Sequence, residues 1–219
     1  FENSGVMVWA AANSTSESDA NTMAGLPELF PSLGEAWLVA NVVQYTGDSD
    51  LSNATSSEFT LRGNKCGSTK EYCLSVDGWD VYSATYVNSG TSVYNTGRIS
   101  YGSSWSAPMV SGGVALMAQA FPNHTPEQLV DRILASANNV WFTPEGNTTF
   151  TTHGNSVRHG YHSTWGHGMP DFYAALSPIT SDGNPASMAL YMGNSIQSSE
   201  AVDLNSSFIT PSSSFGNAI

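Results

Sequence analysis

Basic side chains are scarce in this chain: six lysines and arginines stand against 18 acidic residues, for a formal net charge of -12. A surface this acidic repels phosphate backbones and anionic lipid, which argues against nucleic-acid binding and electrostatic membrane attachment. Long apolar runs are lacking too. No stretch could span a bilayer as a helix, and no signal-peptide pattern opens the sequence. The first residue is Phe1 rather than methionine, as expected of a processed or partial chain. Cysteine occurs only as Cys66 and Cys73, with too few soft ligands nearby for a zinc site. Such a pair is either a local disulfide or two reduced thiols. We favour the disulfide, and with it an oxidising compartment. There is no internal repeat.

What is present suits an α/β layered fold. Of the 219 residues, 40% are hydrophobic, enough for a sizeable core. Gly5 to Ala11 and Trp37 to Val43 are short apolar runs of the kind found in buried parallel strands. Cys73 to Val76 and Asp80 to Ser83 are shorter strand candidates separated by Gly78. From Trp105 to Phe121 the pattern is helical and almost wholly apolar or small, and Pro122 ends it. Thr125-Pro126-Glu127-Gln128 reads as a capping box opening a second helix, with Leu129, Val130, Ile133 and Leu134 on one face. Beyond about residue 178 the chain is rich in Ser, Asn and Gly and reads as a linker, an edge strand or the approach to a further segment. The expected division is therefore 1–178 as one unit and 179–219 as an extension.

The chemically informative stretch is Gly102-Ser103-Ser104-Trp105-Ser106-Ala107-Pro108-Met109-Val110-Ser111-Gly112. A serine between a glycine turn and a helix start exposes its hydroxyl where the helix dipole favours a developing negative charge. The string resembles the nucleophile motif G-T-S-[MA]-A-x-P-x-V-x-G of subtilisin-like serine proteases, which assigns the nucleophile to Ser104. Upstream, Ala10-Ala11-Ala12-Asn13 resembles that family's A-A-G-N loop. The resemblance implies that the Asn13 amide donates to the oxyanion and that Ala10, Ala11 and Ala12 line the substrate site. The departure is alanine for glycine at residue 12.

Ala24-Gly25-Leu26-Pro27-Glu28-Leu29-Phe30-Pro31-Ser32 is similar to the family stretch around the specificity pocket. On that analogy Gly25 floors a pocket with room for a large apolar side chain, and Leu26–Pro27 is a cis peptide bond. Trp165-Gly166-His167-Gly168-Met169-Pro170-Asp171 resembles the segment closing the catalytic domain. The cysteine loop, the Ala24-to-Pro31 stretch and Phe215-Gly216-Asn217-Ala218 look most like the secreted subtilisin-like domains of bacterial autotransporters. The implied fold is three-layered, with a mainly parallel sheet.

The family's D-[ST]-G and H-G-T-H motifs are absent. A serine hydroxyl is a poor nucleophile without an oriented base. All five histidines (His124, His153, His159, His162, His167) follow Ser104, the wrong order for this family. The expectation is a carboxyl-terminal portion whose Asp and His come from a preceding polypeptide of the same protease, inactive without it. A non-catalytic subtilisin-like binding or assembly module is the alternative. The four histidines from His153 to His167 fit no helical metal motif and read as surface or hydrogen-bonding groups. No cofactor is required for the chemistry. The resemblance leaves room for structural calcium on loop oxygens, with Asp48, Asp50 and Asn53 as candidates.

Overall fold

From Trp37 to Val43 every side chain is buried, so both faces of this strand are covered. The structure, a computed structural model, describes residues 5–48, 50–88, 92–98, 101–152 and 156–176. Numbered in chain order, that strand is β2 (Trp37–Tyr45), the hub of a four-stranded sheet. β1 (Met7–Ala10) pairs with it in parallel, Ala10 opposite Ala40. β4 (Cys73–Asp77) pairs in parallel along Val39 to Val43. Only the short β3 (Phe59–Leu61) runs antiparallel, against Val43 to Tyr45.

Alternation along β2 and β4 divides the core. Leu38, Ala40, Leu74 and Val76 join a cluster with Val110, Val114, Met117 and Phe121 of α1 (Ser103–Ala120) and Leu129, Ile133 and Leu134 of α2 (Pro126–Ala135). Each large apolar side chain buried there contributes about 1.5–3 kcal/mol. Trp37, Val39 and Cys73 belong to a second cluster with Ala11, Ala24 and Cys66, and Trp9 stacks on Trp37 at 5.5 Å. The fold is α/β with a mainly parallel sheet, as expected. Among the described residues the second cluster is closed by loops and short 3-10 turns, not by a helical layer.

The capping box of α2 forms: Thr125 Oγ1 accepts the Gln128 N–H and Gln128 Oε1 accepts the Thr125 N–H. Cys66 and Cys73 are joined in a disulfide. α1 begins two residues before the apolar pattern does, so the serine turn is already its first turn. The strand expected at Asp80 to Ser83 starts at Tyr82 and is longer: β5 (Tyr82–Asn88) forms a hairpin with β6 (Ser92–Arg98). A second hairpin, β7 (Gly146–Phe150) with β8 (Val157–Tyr161), had no sequence signal, since its strands are polar and glycine-containing. Fully buried Arg132 ties α2 to α3 (Phe172–Leu176) by donating from Nε to the Ala175 carbonyl, with its guanidinium 4.3 Å from the Phe121 ring centre.

One expectation is corrected. The Leu26–Pro27 bond is trans. Leu26–Glu28 forms a 3-10 turn capped by Gly25, with the Glu28 N–H donating to the Gly25 carbonyl at 3.0 Å. A trans proline, with its fixed φ and no N–H, suits the start of such a turn. The extension from 179, its Phe215 to Ala218 string, and His153 lie outside the described residues.

Candidate active site

Ser104 lies in the first turn of α1, exposed, while its neighbour Ser103 is buried. The helix has no charged residue; of its first-turn N–H groups, that of Trp105 donates to the Gly102 carbonyl at 2.9 Å and that of Ser103 to Asn13, while that of Ser104 has no partner among the described residues. They create a positive end where an anion is favoured. Among the described residues, Ser104 Oγ has no hydrogen-bond partner. Gly102, which precedes the helix, is needed for room: a Cβ there would stand 3.2 Å from Asn13 Nδ2.

Asn13 reaches this turn from the loop after β1. Its Oδ1 accepts the Ser103 N–H at 2.8 Å and the Ser103 hydroxyl at 3.0 Å. Two donors on one oxygen fix which end of the carboxamide is which. Nδ2, the donor end, makes no hydrogen bond to a described residue and lies beside Gly102. The structure therefore brings Asn13 and Ser104 to one turn, 91 residues apart in sequence, with Ser103 between them.

The loop that carries Asn13 is held from several sides. Ala12 has φ 93°, a conformation that costs a non-glycine residue about 1–2 kcal/mol. Its N–H donates to Ser103 Oγ at 3.1 Å, and its carbonyl accepts the Asn64 N–H at 3.1 Å. Asn64 Oδ1 accepts the Ser14 N–H at 2.9 Å. Ala11 is fully buried, and Ala10 bonds through its carbonyl to the Asn21 amide. Asn21 also donates its N–H to the Ala11 carbonyl and accepts the Gly25 N–H on its own carbonyl. In this way Asn21 ties Gly25 to the Ala10-to-Asn13 loop. A Cβ on Gly25 would make only ordinary contacts, the nearest at 3.7 Å, so the glycine is not forced there by crowding. Ser103, Asn21 and Asn64 were not singled out from sequence. Only Ser103 carried a signal, since it occupies the threonine position of the nucleophile motif.

The other candidates lie elsewhere. Asp48, Asp50 and Asn53 line a depression with Tyr45, Ala54 and Glu58. Asp50 accepts the Ser52 N–H, and Glu58 accepts the N–H and hydroxyl of Thr55, which hold both carboxyls below their ordinary range. Among the described residues no three His, Cys, Asp or Glu side chains converge to hold a metal ion. His159 and His167 are buried against each other, Nδ1 to Nδ1 at 2.9 Å, with their Nε2 atoms on the carbonyls of Ala137 and Glu71. Burial lowers the His159 pKa to about 4 and holds His167 well below the ordinary value. His162 Nε2 lies 3.3 Å from Glu145 Oε1, outside the buried pair. No helix among the described residues is long and apolar enough to cross a membrane.

A family model described as the Subtilase family matches residues 2–168. The chain is similar to an extracellular serine protease of Serratia marcescens, with 28% identity over 150 residues, covering 62% of this chain and 13% of that protein. It spans only a small part of that relative's length. Among solved structures, fervidolysin from Fervidobacterium pennivorans, a keratinolytic enzyme related to subtilisin, has 23% identity and a TM-score of 0.50, over 80% of this chain and 23% of the other. The prenylagaramide maturation protease PagA has 18% identity and a TM-score of 0.49, over 78% of this chain and 49% of the other.

Proposed function

Because the chain belongs to the Subtilase family of serine proteases, we propose that it forms the nucleophile and oxyanion portion of a secreted serine endopeptidase. Ser104 Oγ attacks the scissile carbonyl carbon while a histidine from a preceding polypeptide of the same protease takes its proton. An aspartate of that polypeptide orients the histidine. The Ser104 N–H and Asn13 Nδ2–H donate to the tetrahedral oxyanion. Collapse expels the amine, which leaves with the proton held by the histidine, and water then hydrolyses the acyl-enzyme at Ser104. Ala10 and Ala12 line the substrate cleft, with Ala11 buried in the core behind them, and Gly25 floors the pocket beside it. Residues 1–178 are the catalytic portion and 179–219 an extension.

The observation that carries this reading is the Asn13 amide, anchored by its oxygen on Ser103 with its donor end unengaged beside the turn that presents Ser104. Secretion is supported by the disulfide, the acidic surface and the extracellular relative. The autotransporter type rests on the sequence resemblance alone. Peptide hydrolysis by the complete protease tests the proposal: Ser104→Ala is expected to abolish turnover, and full activity in that variant would reject it.

A non-catalytic binding module is the second reading, favoured by the absent D-[ST]-G and H-G-T-H motifs. Sequencing the preceding coding region separates the two. Both motifs there support the protease, and their lack supports the module.

A further inference from the structure

Arg62 has no carboxylate partner among the described residues, although the chain holds 18 acidic residues and only six basic ones. Its guanidinium lies over the Trp79 ring, 4.1 Å from the ring centre. Nε donates to Gln44 Oε1 at 3.0 Å, and Nη2 donates to the same oxygen. Trp79 stacks in turn on Tyr101 at 4.5 Å, and Tyr101 is 41% exposed. Asp77, the carboxylate nearest Trp79 in the chain after Asp80, is turned to the Trp79 N–H at 3.2 Å.

Two glycines, the chain neighbours of Arg62 and Trp79, bring the backbone beside this stack against the candidate active site. Gly63 follows Arg62, and a Cβ there would come within 2.4 Å of the Ala12 carbonyl and 3.4 Å of Asn13 Cα. Gly78 precedes Trp79, and a Cβ there would come within 2.9 Å of the Gly102 carbonyl. The Gly102 N–H also donates to the Gly78 carbonyl at 3.1 Å. Arg62 is thus one residue from the backbone that touches Asn13. Trp79 is one residue from the backbone that touches the Ser104 turn, and Tyr101 immediately precedes that turn.

A guanidinium laid on an aromatic face loses little more hydration when a ligand binds its edge. With Gln44 fixing Nε and one Nη2 proton, the edge formed by Nη1 and the remaining Nη2 proton matches the two oxygens of a carboxylate. We propose that Arg62, held on Trp79 and Tyr101, forms a substrate subsite that selects an aspartate or glutamate side chain next to the scissile bond. This rests on the reading of Ser104 and Asn13 as the reacting site. The net charge of -12 makes the selection local. A peptide acidic throughout is repelled, whereas one acid placed at Arg62 is favoured.

The test uses the complete protease and pairs of otherwise neutral peptides carrying Glu or Gln at each position flanking the scissile bond. At one position the Glu peptide is expected to have a kcat/KM about tenfold above its Gln partner, the scale of a charge-assisted bidentate pair. In Arg62→Gln that ratio falls to about one while Gln peptides are cleaved within about threefold of wild type, and Arg62→Lys, which keeps the charge but not the fork, lies between. Equal Glu and Gln rates at every position, or a ratio unchanged in Arg62→Gln, overturn the subsite and leave the protease reading intact. Undiminished cleavage by Ser104→Ala overturns the protease reading and the subsite with it.

Discussion

Asn13 Oδ1 accepts two hydrogen bonds from a single residue, the N–H and the hydroxyl of Ser103, at 2.8 and 3.0 Å. The same hydroxyl accepts the Ala12 N–H, so one buried oxygen ties the loop after β1 to the first turn of α1. The pairing decides where the Asn13 donor points, so under the proposed function it acts through orientation.

Under the proposed function Ser103 is a positioning residue. Ser103→Ala in the complete protease is expected to lower kcat about tenfold with KM within about twofold, because the loss falls on transition-state stabilisation. Ser103→Thr, which keeps the hydroxyl, is expected to restore most of the rate. Asn13→Ala, which removes the donor itself, is expected to cost on the order of a hundredfold or more in kcat. Steady-state kinetics on one neutral peptide check all three, and a Ser103→Ala effect confined to KM would contradict the assignment.

Ala12 stands at φ 93° where the family motif has glycine. Ala12→Gly removes strain of about 1–2 kcal/mol but adds unfolded-chain entropy of about 0.4–1 kcal/mol. The strain is the larger at this φ, so the melting temperature is expected to rise by a few degrees at most. Calorimetry of the purified protein measures this, and a fall would mean that the methyl group has packing value in the loop.

Gly113, in the middle of α1, shows the opposite. Glycine-to-alanine in a helix interior ordinarily stabilises by about 1 kcal/mol. Here the added Cβ would lie 1.8 Å from the Phe172 ring. Gly113→Ala is expected to destabilise by about 1–3 kcal/mol through overpacking. Combining it with Phe172→Ala is expected to cost less than the sum of the two single changes, which urea unfolding of the three variants checks.

Acid stability follows from the buried histidines. Burial holds the folded-state pKa of His159 at about 4, below the ordinary 6.5, and His167 is lowered as well. As pH falls below about 6.5 the unfolded chain takes up protons that the folded chain refuses, so stability drops towards pH 4. Asp131 has the opposite sign. Burial raises its pKa to about 6 from 3.8, so its share of stability is present at acid pH and is lost as pH rises through about 6. The melting temperature is expected to fall from pH 7 to 5, and His159→Gln is expected to flatten the slope. A flat wild-type profile would contradict neutral burial of the pair.

The sequence carried the parallel sheet, α2 and the turn at Gly102 to Ser104 because each rests on local chemistry: an apolar run, a capping box, a glycine before an apolar helix. Ser103 to Asn13 and Gly63 to Ala12 are long-range pairings that no local pattern encodes. Gly25 was legible as part of a family stretch, but its tie to the loop runs through Asn21, a residue with nothing unusual around it. The trans Leu26–Pro27 bond follows from the 3-10 turn capped by Gly25, which a family analogy does not reveal. β7 and β8 escaped because a polar hairpin lacks the alternation that marks a half-buried strand.

The most direct test is fluorophosphonate labelling of the complete native protease, followed by peptide mapping. A single label on Ser104, lost in Ser104→Ala and weakened in Asn13→Ala, is the expected result. Labelling of a different serine, or no labelling in a sample that contains the Asp and His segment, would contradict Ser104 as the nucleophile.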